Sequence, residues 1–154
     1  MPDSNIEVLR KETYLKMIEN SPGTRLFNSL IVKLKDTGEV KDVFGDGDNS
    51  CAAFVSSVLF LNRLLDEPHA TVARLRQVLT RLGWQKVEGD IIPGDVVFWE
   101  KIKVEDGSEH EHVGFALSAD EAISTSYKER QVVKHAMIPN GRKVTEVFRP
   151  NILE

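Results

Sequence analysis

Residues 45–59 read GDGDNSCAAFVSSVL, a polar, glycine-rich loop that runs straight into an apolar helix. Continued to Leu65, the helix carries Phe54, Val55, Val58, Leu59, Leu61 and Leu65 and is apolar around much of its circumference. Such a helix is buried rather than laid on a surface, so the segment predicts a central helix with the rest of the chain packed around it. Cys51, the single cysteine of the chain, stands at its start. The first turn of a helix has unpaired N–H groups and the positive end of the helix dipole. Both lower the pKa of a thiol there and make its sulfur a nucleophile. Free cysteine is also among the most buried residue types, so from this segment alone a nucleophile and a small core residue both fit.

Pro68 stops that helix, and Thr71 caps the next, whose apolar stripe is Val72, Leu75, Val78, Leu79 and Leu82, closed by Gly83. Upstream, Asp3 and Ser4 suit the cap of a first helix with Ile6, Leu9, Met17 and Ile18 among its apolar positions, ended by NSPG at 20–23. Residues 24–34, with Leu26, Phe27, Leu30, Ile31 and Leu34, fit a second helix. The end of that run fits a strand equally, because DTGE at 36–39 is a turn signal and residues 40–44 look extended.

After Gly83 the pattern changes from helical to extended. Residues 84–87, 96–99, 112–117, 122–126, 132–136 and 144–149 read as short strands. Turn signals separate them: PGD at 93–95, DGS at 106–108, SAD at 118–120 and PNG at 139–141. The short connections favour an antiparallel sheet. Helices first and strands second predict an α+β fold, with the helices on one face of an antiparallel sheet of about five or six strands. One domain over residues 1–154 is expected, helical to about residue 83 and sheet from 84 to 149.

An apolar fraction of 41% and a charged fraction of 29% are ordinary for a soluble globular protein. The net charge of −4 and the lack of a lysine or arginine block argue against a nucleic-acid partner. Arg74, Arg76 and Arg81 read as a solvated helix face. One cysteine excludes an intramolecular disulfide and a multi-thiolate zinc site. The loop from Asp46 fails as a calcium loop, because Cys51 and Ser57 stand where glycine and glutamate are needed. Glu109, His110, Glu111 and His112 lack the helical spacing of a zinc protease and read as an acidic loop before a strand. No metal or cofactor is therefore expected. The N-terminal residues show no apolar signal region, and no apolar run approaches the roughly 20 residues that cross a bilayer. The expectation is no membrane partner, and a protein that is cytoplasmic or exported without a Sec-type signal.

A cysteine nucleophile needs a base, and the base needs an orienting group. Of the four histidines, His69 reads as a loop residue, and His135 sits on a late strand with no acidic or amide neighbour in register. His112 opens the alternating strand HVGFAL, where Val113, Phe115 and Leu117 share a face. His110 shares the face of His112 if the strand begins that early, as a second base or a substrate contact.

The order NSCAAFVSSVL, PGDVVFW, HVGFAL, AISTS resembles the NlpC-type, papain-like cysteine peptidases of bacterial cell-wall turnover and their CHAP amidase relatives. The resemblance covers residues 44 to 126, with PGDVVFW and HVGF as close matches. It implies a papain-like fold in which Cys51 is the nucleophile, His112 the general base and then acid, and the N–H of Cys51 an oxyanion donor. The family's third polar residue falls on Ser124 in this register, with Thr125 and Ser126 beside it. Asp48, Asn49, Ser50, Trp99 and His110 are the candidates for lining a substrate groove. PGDVVFW otherwise reads as structural: Gly94 makes the turn, Asp95 bonds backbone there, and the rest fills the core.

Departures from the family pattern accompany the match. Ser50 replaces the family's aspartate, Ala52 and Ala53 replace Ser-Gly, a hydroxyl is the third residue, and Phe44 stands nearest to a missing tyrosine. The resemblance implies a hydrolase that cleaves an amide through a thioester, with a peptide or peptidoglycan fragment as substrate. The routes compatible with no signal peptide are a phage lysin, a delivered effector amidase, or a cytosolic enzyme acting on recycled or unrelated amides. The departures keep two alternatives open: a catalytically silent binding module, and an acyltransferase.

Overall fold

The central helix α2 (Cys51–Leu61) buries Phe54, Val55, Val58 and Leu59, and the chain packs around it in a computed structural model that describes residues 5–154. Phe54 is the hub. Its ring meets Phe27 at 5.7 Å and the edge of Phe115 at 5.6 Å, while Tyr14 meets Phe115 edge-on at 6.0 Å. Each such side chain contributes roughly 1.5–3 kcal/mol on burial, which makes this aromatic row the main anchor of helix on sheet. Two further helices flank it, α1 (Arg10–Glu19) and α3 (Val72–Arg81). Thr71 caps α3 as its sequence predicts, its hydroxyl accepting from the Arg74 N–H at 3.2 Å.

A small hairpin, β1 (Ile31–Lys33) with β2 (Val40–Asp42), precedes α2. The six later strands are β3 (Gln85–Lys86), β4 (Val96–Lys103), β5 (Glu109–Ala116), β6 (Glu121–Ser126), β7 (Gln131–Ala136) and β8 (Val144–Arg149). They form one antiparallel sheet in the order β3-β8-β4-β5-β6-β7. Strand alternation splits its residues between two cores. Val96, Phe98, Val113, Phe115 and Ile123 face the helices; Val97, Trp99, Ala116, Ala122 and Met137 pack on the opposite face. The mixed α+β architecture and the strand-forming half of the chain are thus as expected.

The turn before β4 is built by charge. Asp95 is 0% exposed, yet its carboxylate accepts two hydrogen bonds from Arg149, at 2.8 and 2.7 Å, and one from the Ile92 N–H at 2.9 Å. Gly94 sits beside it at φ +92°, and a Cβ there would stand 2.9 Å from both Tyr14 and Leu15. The Tyr14 hydroxyl donates to the Gly94 carbonyl at 2.7 Å.

The first half of the chain departs from expectation in three places. Residues 24–30 are not helical, because their backbone groups are satisfied at a distance. The Val132 N–H donates to the Thr24 carbonyl at 3.1 Å, and the Leu30 N–H donates to the Asp42 carboxylate at 2.9 Å. Leu26, which suggested a buried stripe, is 84% exposed, and the strand alternative holds at β1. Helix α1 begins only at Arg10, leaving Ile6 and Leu9 exposed before it. The caps expected at Asp3 and Ser4 lie outside the described residues. Helix α2 ends at Leu61 rather than at Pro68, since Asn62 bonds back to the Val58 carbonyl at 2.8 Å and Arg63 turns to φ 58°. Among the described residues, no helix is long and apolar enough to cross a membrane.

Candidate active site

The site forms where two strands part. Strands β5 and β6 pair at only two positions, Phe115 with Ile123 and Ala116 with Ala122, although β6 stays paired to β7 as far as Ser126. Beyond Phe115 the β5 backbone has no partner on that side, and the N–H of Val113 turns to the sulfur of Cys51 instead. The N–H groups of Ala52 and of Cys51 itself, in the first turn of α2, also face the sulfur. Three backbone donors around one atom form a pocket for negative charge.

His112 precedes Val113 on β5, so strand alternation turns its imidazole to the other face of the sheet. There its Nε2 is 2.8 Å from the Ser124 Oγ on β6. The Ser124 hydroxyl in turn lies 2.6 Å from Nε2 of His135, whose Nδ1 is 2.7 Å from the Ala136 carbonyl. The fully buried Trp99 packs against both imidazoles, with ring centroids 5.6 Å from each, and its indole N–H donates to the Met137 carbonyl at 2.7 Å. Gly114 lets the strands approach: a Cβ there would stand 2.5 Å from the Ile123 carbonyl oxygen and 2.7 Å from the Ser124 Cβ. No hydrogen bond joins Cys51 to His112 in this resting geometry, and such contacts commonly tighten only around substrate.

Electrostatics sets the resting protonation. Burial pushes the Cys51 thiol above its ordinary value, against the N–H groups of Val113 and Ala52 and the charge of Arg142, which pull it down. The thiolate expected from a helix start is therefore not the resting state, because desolvation outweighs the helix terminus. Burial, Arg142 and His135 lower His112 from 6.5 to about 3, so its imidazole is neutral. The resting pair is thiol and free base.

Arg142 was not visible as a site residue in the sequence. It follows the PNG turn, and its guanidinium donates to the carbonyls of Glu100 at 2.9 Å and His110 at 2.6 Å. The Glu100 carbonyl is available to it because β4 bulges against β5 between Trp99 and Ile102. His135 has no acidic or amide neighbour in register; its partner is the Ser124 hydroxyl.

The remaining sequence candidates scatter. Ser50 is 1% exposed beside Cys51, makes no cap hydrogen bond, and its hydroxyl has no partner among the described residues. Asp48 and Asn49 are exposed, and Asp48 pairs with Arg130 at 3.4 Å. Arg130 also donates to the carbonyls of Gly45 and Asp46, so it clamps the loop before α2 to the β6–β7 turn. Strand β5 does begin before His110, but that imidazole bonds Ser108 at 2.7 Å and lies outside the His112 chain. Trp99 supports the histidines from within the sheet rather than lining an open groove. Glu111 turns to α3 and pairs with Arg76, which stacks over Phe98 at 4.8 Å and also pairs with Glu146. Arg76 is therefore a half-buried strut, not part of a solvated stripe. Among the described residues, no group of three or more His, Cys, Asp or Glu side chains is placed to hold a metal ion.

A recess of about 320 Å3 opens beside α2, lined by Leu26, Phe27, Phe44, Ala53, Ser57 and His69 among others. Cys51 does not line it, so this recess and the surroundings of Cys51 are separate features. No family model and no curated protein matches this chain.

Proposed function

We propose that the protein is a papain-like thiol hydrolase of the NlpC type, cleaving an amide bond of a peptide, with cell-wall peptides the first substrates to try. One observation carries the reading: the strand that holds a neutral, oriented His112 also aims its next N–H, that of Val113, at the sulfur of Cys51. On this reading one strand supplies, from successive residues, both a base and an N–H donor for the nucleophile.

The reaction runs from the neutral pair. Sγ attacks the amide carbon while its proton passes to Nδ1 of His112. The oxyanion is met by the N–H of Cys51, and His112 returns the proton to the leaving amine as the C–N bond breaks. Water then attacks the thioester, giving a proton to His112; the acid product leaves and the thiol is restored. Arg142 favours the thiolate but opposes an imidazolium, so the charge-separated state is brief.

A silent binding module is the rival, favoured by the burial that disfavours both charges. Incubation with p-nitrophenyl acetate and intact-mass analysis separates the two. The hydrolase reading expects one acetyl group on Cys51 in the wild type and none in Cys51→Ser. It expects acylation slower by about 100-fold or more in His112→Ala, the usual worth of a general base. A wild-type sulfur that stays unmodified, with no more p-nitrophenol released than by Cys51→Ser, overturns the reading. An acyltransferase would share every step to the thioester and differ only when an amine is added.

A further inference from the structure

We infer that His135 is a positioning residue that forces the Ser124 hydroxyl to act as an acceptor and so fixes the tautomer of His112. The inference rests on the reading of Cys51 and His112 as a catalytic pair, and it is carried by the hydrogen-bond chain from Ala136 to His112 together with the burial that keeps His135 neutral.

The chain has one consistent direction. The Ala136 carbonyl can only accept, so the Nδ1 of His135, 2.7 Å away, carries a proton. A neutral His135 then has a lone pair on Nε2, and the Ser124 hydroxyl at 2.6 Å donates to it. With its proton committed there, Ser124 offers a lone pair to the Nε2 of His112 at 2.8 Å, which must carry a hydrogen. That leaves the lone pair of His112 on Nδ1, the nitrogen free of the serine. Burial lowers the pKa of His135 and keeps it singly protonated near neutral pH.

A serine by itself cannot do this. Its hydroxyl donates to an imidazole as readily as it accepts. Donation would place the His112 proton on Nδ1 and leave no base for the thiol. A carboxylate or an amide oxygen would enforce the orientation directly; here a hydroxyl does so because a second imidazole consumes its proton. Trp99 holds both rings at one distance, 5.6 Å between centroids, and Gly114 provides the close strand approach that the bridge needs.

Long-range proton–nitrogen NMR on histidine-labelled protein at pH 7.5 tests the inference. The unmodified protein should show His135 as the Nδ1–H tautomer and His112 as the Nε2–H tautomer; the reverse for either ring overturns it. In His135→Phe, which keeps a ring against Trp99, His112 should shift toward Nδ1–H and acetylation of Cys51 should slow by about tenfold or more. His135→Gln, whose carbonyl can accept from Ser124, should recover most of the loss. A His112 spectrum and acetylation rate unchanged in His135→Phe would also overturn it. If wild-type Cys51 never acetylates, the hydrolase reading fails, while the tautomers of the resting protein still decide the role of His135.

Discussion

Two polar clusters, one at the start of β4 and one beside Trp99 in its middle, are arranged on opposite plans. At the start, Asp95 is buried with its carboxylate fully bonded, to Arg149 and to the Ile92 N–H. Nothing is left over there, and the cluster pins the PGD turn and the last strand together. Further along the strand, beside Trp99, the groups of the His112–Ser124–His135 chain are bonded to one another and to the Ala136 carbonyl, not to Cys51. One lone pair of His112, the thiol of Cys51 and the hydroxyl of Ser50 are left unspent. Closed networks hold the fold, and an open one in the same sheet is where chemistry can start.

Acid separates the two clusters most strongly. The unfolded chain protonates His112 below about pH 6.5, whereas the folded chain does so only near 3. Between those values the unfolded state binds more protons, so this stability is whole above about pH 6.5 and is lost as the pH falls toward 3. The loss is on the order of 4 kcal/mol, and His112→Gln should remove most of the slope in urea melts between pH 6.5 and 4. The second contrast is Arg149→Ala. It strands a buried carboxylate and should cost about 3 kcal/mol in a urea melt, with the acetylation rate per folded molecule unchanged. Gly114→Ala reverses that pattern. The added Cβ pushes against Ile123 and Ser124, costing about 2 kcal/mol and slowing Cys51 acetylation more than the melt suggests. Thr71→Ala touches neither network. It should cost about 1 kcal/mol through the lost cap and leave acetylation intact.

The sheet was legible because each strand is short, alternating and bounded by turn residues. The His112–Ser124 contact was legible because both residues sit at defined positions on such strands, and the place of Cys51 because it opens the apolar helix α2. Residues 24–30 misled because their N–H and C=O groups are met by Val132 and by Asp42, partners that no local window contains. Asp42 accepts from three backbone N–H groups there, those of Leu30, Phe44 and Asp46. His135 was within reach of the sequence. The turn at 127–130 sets Ser126 opposite Gln131, which puts His135 opposite Ala122 and on the face of Ser124. Its partner is a hydroxyl, a weaker sequence signal than an acid or an amide because serine is common on strands. Arg142 was not within reach, since its hold on Glu100 depends on a bulge in β4.

The most direct test of the central claim is the rate of iodoacetamide alkylation of Cys51 against pH, in the wild type and in His112→Ala. The single cysteine makes the signal specific. A buried thiol assisted by a neutral base predicts faster alkylation in the wild type at neutral pH, with no loss of rate as the pH drops through 6.5. In His112→Ala the rate should rise only as the thiol itself titrates, above its ordinary value of about 8.5. Superimposable profiles for the two proteins would mean that His112 does not act on Cys51, and would contradict the account.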